Sequence, residues 1–126
     1  MTKIFYQKVA ACSKDGSLKI QDKEELNVYL NNLFKIPKSI NKMEELLHIG
    51  KVCMDEGYET TALKIYQNAY HSLSSLECSK EAKLKYAQTV LYALSTLNSS
   101  DNEYVWESTG EFIHACRDFI EKLNVL

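Results

Sequence analysis

Two Glu-x-x-His motifs are the residues of this sequence that most resemble a metal-binding pattern. The four residues are Glu45, His48, Glu111 and His114. A spacing of three places a carboxylate and an imidazole on one face of a helix, the arrangement that holds two metal ions in carboxylate helical bundles. Such a centre also needs a carboxylate from each of two other helices, for which Glu25 and Glu81 are the candidates.

The predicted order of the helices disfavours a di-metal centre. Another helix lies between the two that would carry the motifs, and the helix with His48 is short for a ferritin-like bundle. A histidine beside a glutamate on a solvated face needs no metal to explain it. We therefore expect no metal and no cofactor, and the di-metal protein is the third of three hypotheses.

Covalent catalysis has little support in the sequence. Cys116 lies two residues from His114, a spacing that points the two side chains apart on a helix. The chain has 4 glycines and contains neither a Gly-x-Ser-x-Gly turn nor a glycine-rich phosphate loop. Cys53 and Cys116 fall on apolar stripes, where cysteine acts as a small hydrophobic residue. We expect the protein not to be an enzyme.

A row of three carboxylates opens the last predicted helix. Glu103, Glu107 and Glu111 are spaced four residues apart and share one helical face. The helix macrodipole favours acidic residues near an N-terminus, and the row also suits a basic partner. Tyr104 and Trp106 lie in the same turn, where the two readings are an exposed aromatic anchor and a cap on the core, and we favour the core.

Length and charge restrict the class of protein. A chain of 126 residues with a net charge of -2 is one domain and is poorly suited to nucleic acid or to an anionic membrane surface. The N-terminus lacks the apolar run of a signal peptide, and no apolar stretch approaches the ~20 residues that cross a bilayer. We expect a cytoplasmic protein whose 4 cysteines are reduced thiols.

Hydrophobic periodicity predicts an all-α fold of five or six antiparallel helices, as a repeat-like stack or an irregular bundle. The first strong helix spans about residues 23–36 and stops before Pro37. The second spans about residues 42–56, with Asn41 and Glu44 as its capping box and Gly57 ending it in the left-handed conformation.

The remaining helices follow from the same periodicity and from capping signals. We predict helices over about residues 62–76 and 80–97, and a last helix that begins at the Ser100 and Glu103 signal and has Gly110 as a break. A weaker helix is predicted at the N-terminus, closed by residues 14–17. Its apolar residues are Ile4, Phe5, Val9 and Cys12.

Small residues in two consecutive helices predict a close helical hairpin. Gly50, Ala62 and Ala69 allow the two backbones to approach, and Tyr66 fills the space beside them. About residues 43–76 resemble a tetratricopeptide repeat, whose Leu-Gly and Ala-x3-Phe motifs appear here as Ile49-Gly50 and Ala62 to Tyr66. Three positions depart from the family pattern: Leu46 replaces its Trp, Cys53 its Tyr and Ser74 its closing Pro.

The resemblance implies a protein-protein interaction module, an adaptor or a small chaperone, that binds an amphipathic helix or a peptide of another protein. In such repeats the first helix of each hairpin lines a groove. Mapped by position, the groove residues are Leu47, Lys51, Met54 and Asp55. The N-terminal segment from Ile4 to Cys12 is an alternative cover for that face.

Two further points stay open in the sequence. The alternative function is an immunity or antitoxin-type inhibitor, which would place the row of Glu103, Glu107 and Glu111 in the active site of a toxin. Self-association into a homo-oligomer is also compatible with the sequence.

Overall fold

The computed structural model describes residues 10–12, 18–20 and 23–125, with side chains for residues 24–125. Within these residues there are five helices: α1 (Lys23–Lys35), α2 (Ile40–Asp55), α3 (Glu59–Leu73), α4 (Lys80–Leu97) and α5 (Glu103–Asn124). The predicted all-α class is confirmed. Two short strands precede the helices, β1 (Ala10–Cys12) and β2 (Leu18–Ile20), and they pair antiparallel with Ala11 opposite Lys19.

The strands correct the prediction of an N-terminal helix. Cys12 lies in β1, so a helix that reaches this residue is wrong, whereas Ile4, Phe5 and Val9 lie outside the described residues. The Asp-Gly pair at positions 15–16 is a sequence signal for a hairpin as well as for a helix end. Pairing with β2, which local periodicity does not show, decided between the two.

Two helices have N-cap residues that differ from the predicted ones. The side chain of Ser39, and not that of Asn41, accepts from the backbone N–H of Lys42 at the start of α2. Asn102 caps α5, while the Ser100 hydroxyl accepts from the N–H of Asn102 in the preceding turn. The cap at Ser79 of α4 has the expected geometry, with its hydroxyl 3.1 Å from the N–H of Ala82.

The α5 helix also runs unbroken through Gly110, so the predicted break is wrong. This glycine is exposed, and a Cβ added there would meet no atom within 4 Å. One glycine costs a helix only about 1 kcal/mol relative to alanine, which the packing of a 22-residue amphipathic helix outweighs.

The helices pack in chain order. α2 packs with α3 and α4 with α5, as two hairpins; α3 then contacts both helices of the second hairpin, and α2 contacts α4. One apolar cluster extends from Leu26 in α1 to Cys116 in α5. From α2 onwards, each helix thus packs against the next one or two in the chain. In the part of the chain that the structure describes, no helix is long and apolar enough to cross a membrane.

A buried lysine joins α1 to the hairpins. The Lys42 side chain is only 7% exposed, and its Nζ donates to the carbonyls of Phe34 and Ile36 at 3.1 and 2.8 Å. The last carbonyl groups of a helix have no partner within the helix, and the Lys42 ammonium supplies hydrogen-bond donors for two carbonyls at the end of α1. Burial, and then the neighbouring charge of Lys38, lowers the pKa of Lys42.

The first hairpin crosses at Gly50, as the sequence predicts. An added Cβ would lie 2.9 Å from Cζ of Tyr66 and 3.1 Å from Cγ2 of Ile65, both on buried side chains. Ala62 and Ala69 are fully buried on the same helix as Tyr66. A side chain at position 50 therefore fits only if the ring of Tyr66 shifts.

The turn of the first hairpin is a Schellman motif. Gly57 has φ +83°, its N–H donates to the carbonyl of Met54, and the N–H of Tyr58 donates to that of Cys53. The predicted left-handed conformation at Gly57 is therefore confirmed. It reverses the chain in three residues, and this short connection holds α2 and α3 antiparallel.

Candidate functional site

The predicted groove residues of α2 divide into two exposed and two half-buried side chains. The side chains of Lys51 and Asp55 are 70% and 60% exposed and form an ion pair at 3.3 Å. Leu47 and Met54 are half-buried and pack against the core. The face is therefore a partly covered apolar strip with a pair of opposite charges along its edge.

Part of the chain that precedes α1 lies against α2. Strand β2 packs on this helix. The proposed cover from Ile4 to Cys12 is described only at residues 10–12, which pair with β2 in the hairpin. Lys51 and Asp55 stay exposed at the C-terminal end of α2, so this end of the face is open to solvent.

The second hairpin provides a matching face on α4. Its helices cross at Ala87, whose carbonyl oxygen lies 3.3 Å from Sγ of Cys116, just as α2 and α3 cross at Gly50. Counted from these two crossing points, the four groove positions of α2 correspond to four positions of α4. Those positions are Leu84, Gln88, Leu91 and Tyr92.

Burial agrees at all four pairs of positions. Leu84 and Leu91 are half-buried like their counterparts Leu47 and Met54, and Gln88 is exposed like Lys51. Tyr92, which corresponds to Asp55, is 75% exposed. The two hairpins thus present the same helical face to solvent, with an aromatic ring added on α4.

The helices that carry the two faces lie side by side. Because both hairpins are antiparallel and α3 joins α4 by a short connection, α2 and α4 run in the same direction, and they contact each other. Burial raises the pKa of Tyr86 on α4, and the nearby carboxylate of Glu44 on α2 adds to the rise. We name this surface the α2–α4 face: Leu47, Lys51, Met54 and Asp55 with Leu84, Gln88, Leu91 and Tyr92.

The α4 half of this face was missed in the sequence, because residues 80–97 do not reproduce the repeat pattern. The corresponding positions are found by adding 37 residues, the distance in sequence from Gly50 to Ala87. This offset can be chosen only from the structure, which shows that Cys116 contacts Ala87. Sequence periodicity alone gives no reason to choose Ala87 over Ala93 as the crossing point.

The acidic row lies on an exposed face of α5. Glu103, Glu107 and Glu111 are all exposed, and between described residues the ion pairs are Lys51–Asp55 and Lys122–Asp118, neither of which involves the row. Assigning the neighbouring rings to the core was wrong, because Tyr104 is 56% and Trp106 is 45% exposed. The core side of this turn is occupied by Val105.

The Glu-x-x-His motifs do not come together. Glu45 accepts a hydrogen bond from the buried Tyr29 hydroxyl at 2.5 Å, whereas His48, Glu111 and His114 are exposed on two different helices. No group of three metal-ligating side chains forms among the described residues. Glu45 therefore links α2 to α1.

Two of the cysteines are buried thiols. Burial raises the pKa of Cys53 to about 12 and that of Cys116 to about 11, which keeps both protonated at neutral pH. A thiol of this kind is a poor nucleophile. Cys78 is half-buried, and all three are free.

Comparison of the sequence with protein-family models, with curated proteins and with solved structures found no match.

Proposed function

We propose that the protein is a protein-protein interaction module, an adaptor or small chaperone, built from tetratricopeptide-like hairpins. The pairing of the helices supports this proposal, since α2 contacts α3 and α4, and α3 contacts α4 and α5, as in a helical repeat stack. The close approach of Gly50 to Tyr66 supports it as well, at the positions where the family has its Gly and its aromatic residue.

The observation that carries the proposal is the matched burial of the α2–α4 face. Two parallel helices leave the same positions open, with half-buried Leu and Met side chains between exposed polar ones. A partner helix or extended peptide laid along this face would cover the apolar strip while its polar side chains meet Lys51 and Asp55. Tyr92 is its largest exposed ring and the best candidate for an anchor.

Site-specific photocrosslinking in the native host tests this assignment. A photoreactive amino acid is placed at Lys51 or at Tyr92, and at Lys64 on the exposed side of α3 as the matched control. We expect both α2–α4 positions to capture the same protein and the control to capture none of it. Capture of that protein equally at Lys64, or at neither face position, contradicts the proposal.

A substitution gives a second readout once the partner is captured. Met54→Lys would weaken binding, but Met54 is half-buried, so a loss of stability accompanies the change. Lys51→Glu is the cleaner variant because its side chain is 70% exposed. It should weaken partner binding and leave the melting temperature unchanged within about two degrees, since surface substitutions shift stability by no more than about 0.5 kcal/mol.

A further inference from the structure

The first three turns of α5 form an exposed face that combines carboxylates with aromatic rings. Tyr104 and Trp106 are two residues apart, so their side chains leave the helix in different directions. They flank the row of Glu103, Glu107 and Glu111, one ring on each side of it. Tyr104 lies one turn before Glu107, and Trp106 one turn after Glu103. We name these five residues the acidic aromatic face.

The negative charge of this face has no counterpart nearby in the chain. Residues 86–116 contain Asp101 and the three glutamates of the row but no lysine and no arginine. The three glutamates form no ion pair with another described residue. Exposed tyrosine and tryptophan are the residue types that most often anchor protein interfaces. Charge complementarity therefore selects a basic occupant, and the rings select one that stacks on aromatic faces.

Arginine meets both requirements better than lysine does. Its guanidinium forms paired hydrogen bonds with a carboxylate and stacks on aromatic rings, while the lysine ammonium is a strongly hydrated point charge. With a carboxylate and a ring one helical turn apart on each side of the row, a guanidinium can contact both at once.

Side-chain hydrogen bonds anchor the helix backbone beneath this face. The side chain of Asn102 caps the helix, and the hydroxyl of the fully buried Thr109 donates to Oδ1 of Asn98 at 2.8 Å and lies 2.9 Å from the carbonyl oxygen of Trp106. These bonds tie the first turns of α5 to the end of α4. A preorganised face loses less conformational entropy when it binds.

Gly110 leaves open space beside the rings. It lies one turn after Trp106, is exposed, and would have no atom within 4 Å of an added Cβ. Among the described side chains none explains why this helix interior carries a glycine and not alanine. The missing side chain leaves room for a partner to approach the helix backbone between Trp106 and the carboxylates.

We propose that the acidic aromatic face docks an arginine-rich segment of a partner protein. This proposal does not rest on the α2–α4 face, which lies on other helices. Its test therefore uses defined probes, fluorescein-labelled nona-arginine and nona-lysine, with the full chain. Trp106 is the only tryptophan in the sequence and reports occupancy of the face through its own fluorescence when unlabelled peptide is added.

We expect nona-arginine to bind at low salt about threefold or more tightly than nona-lysine, to weaken as salt screens the carboxylates, and to change the Trp106 emission. Changing Glu103, Glu107 and Glu111 together to glutamine should weaken binding about tenfold or more. The matched control changes Glu77, Glu81 and Glu121 to glutamine; these exposed residues lie at the opposite end of the hairpins and give the same net charge. This control should stay within about twofold of the parent.

Two single variants complete the test. Trp106→Ala should weaken nona-arginine more than nona-lysine, and Gly110→Leu should weaken both peptides without lowering the melting temperature. The proposal is overturned by equal losses in the two triple variants, by equal affinities for the two peptides, or by an unchanged Trp106 emission at saturation. Loss of binding in Asp55→Lys, which reverses the exposed negative charge of the α2–α4 face, would place the peptides on that face and would overturn the proposal as well.

Discussion

The two helical hairpins reach similar packing by different means. In the first, a glycine faces a tyrosine, and an added Cβ at Gly50 would lie 2.9 Å from the ring of Tyr66. In the second, two small residues face each other, and Sγ of Cys116 lies 3.3 Å from the carbonyl oxygen of Ala87. One hairpin concentrates its contact in a single large side chain, whereas the other brings two backbones together.

Their turns differ in the same way. The first turn depends on backbone conformation at Gly57, whereas the second depends on side chains, those of Asn98, Asn102 and Thr109. This difference explains why only the first hairpin resembles a repeat in the sequence. Glycine and large aromatic residues leave a recognisable motif, while a small-residue crossing and a side-chain turn do not.

The largest expected effect is at the crossing of the first hairpin. Tyr66→Ala should cost about 3 to 5 kcal/mol, since it removes a fully packed ring, while Cys116→Ala removes one heavy atom and should cost about 1 kcal/mol. Urea denaturation of the two variants measures the difference. Equal losses of unfolding free energy in the two variants would contradict the idea that the first crossing depends on one large side chain and the second does not.

The next largest effect separates the two helical glycines. Gly50→Ala should cost about 1 to 3 kcal/mol because the new Cβ overpacks against Tyr66, while Gly110→Ala should stabilise the protein by about 0.5 to 1 kcal/mol through helix propensity. Chemical denaturation gives both values.

A double variant identifies the cause at Gly50. If the clash with the ring is responsible, Gly50→Ala should lose most of its cost in the Tyr66→Ala background, because the ring is no longer present. A cost that persists there would place the conflict at Ile65.

The two turns should respond to different substitutions. Gly57→Ala should cost about 1 kcal/mol through backbone strain alone, since φ is +83° and no atom lies within 4 Å of the added Cβ. Thr109→Val should cost about 1 kcal/mol through the lost hydrogen bonds, while Thr109→Ser should cost less than Thr109→Val. Thermal unfolding monitored by circular dichroism measures all three. A costly Thr109→Ser would show that its methyl group matters more than its hydroxyl.

The remaining prediction is a dependence of stability on pH above about 9. Cys53 and Cys116 have pKa values raised by burial from 9.0 to about 12 and about 11, so the folded chain keeps protons that the unfolded chain releases. Their contribution to stability is complete below pH 9 and falls as pH rises towards 11 and 12. Under reducing conditions, Cys53→Ala should lose less stability than the parent between about pH 8 and pH 10, and Cys116→Ala should behave similarly. An unchanged slope in both variants would contradict burial as the cause.

Much of the helical organisation is predictable from local sequence. The helix at 80–97 has the predicted bounds, and it begins after its cap at Ser79. The preceding signals also act as expected, because one helix ends just before Gly57 and another ends before Pro37. The caps at Ser39 and Asn102 were missed because several polar residues near each start can accept the same N–H, and packing of the apolar face selects among them. The strand at residues 10–12 was missed because its partner lies outside any local window.

The candidate surfaces show the same division. Spacing on one helix was enough to place Lys51 beside Asp55, and Glu103, Glu107 and Glu111 on one face. Whether a ring on that helix is buried or exposed depends on which neighbouring helix approaches it. Trp106 is exposed because the inward side of its turn is taken by Val105 and Thr109, which periodicity alone could not establish.

The sequence by itself determined that helices form over most of residues 23–124, the left-handed turn at Gly57 and the crossing at Gly50, because each depends on backbone conformation or on side chains within about 16 residues of one another. Only the tertiary structure decided that α4 lies beside α2, that Ala87 meets Cys116, and that Tyr92, Tyr104 and Trp106 remain in solvent. These outcomes depend on which apolar flank of each helix is covered by another helix. Helical periodicity fixes the flank but not its partner, since any apolar flank of similar width can satisfy the hydrophobic driving force.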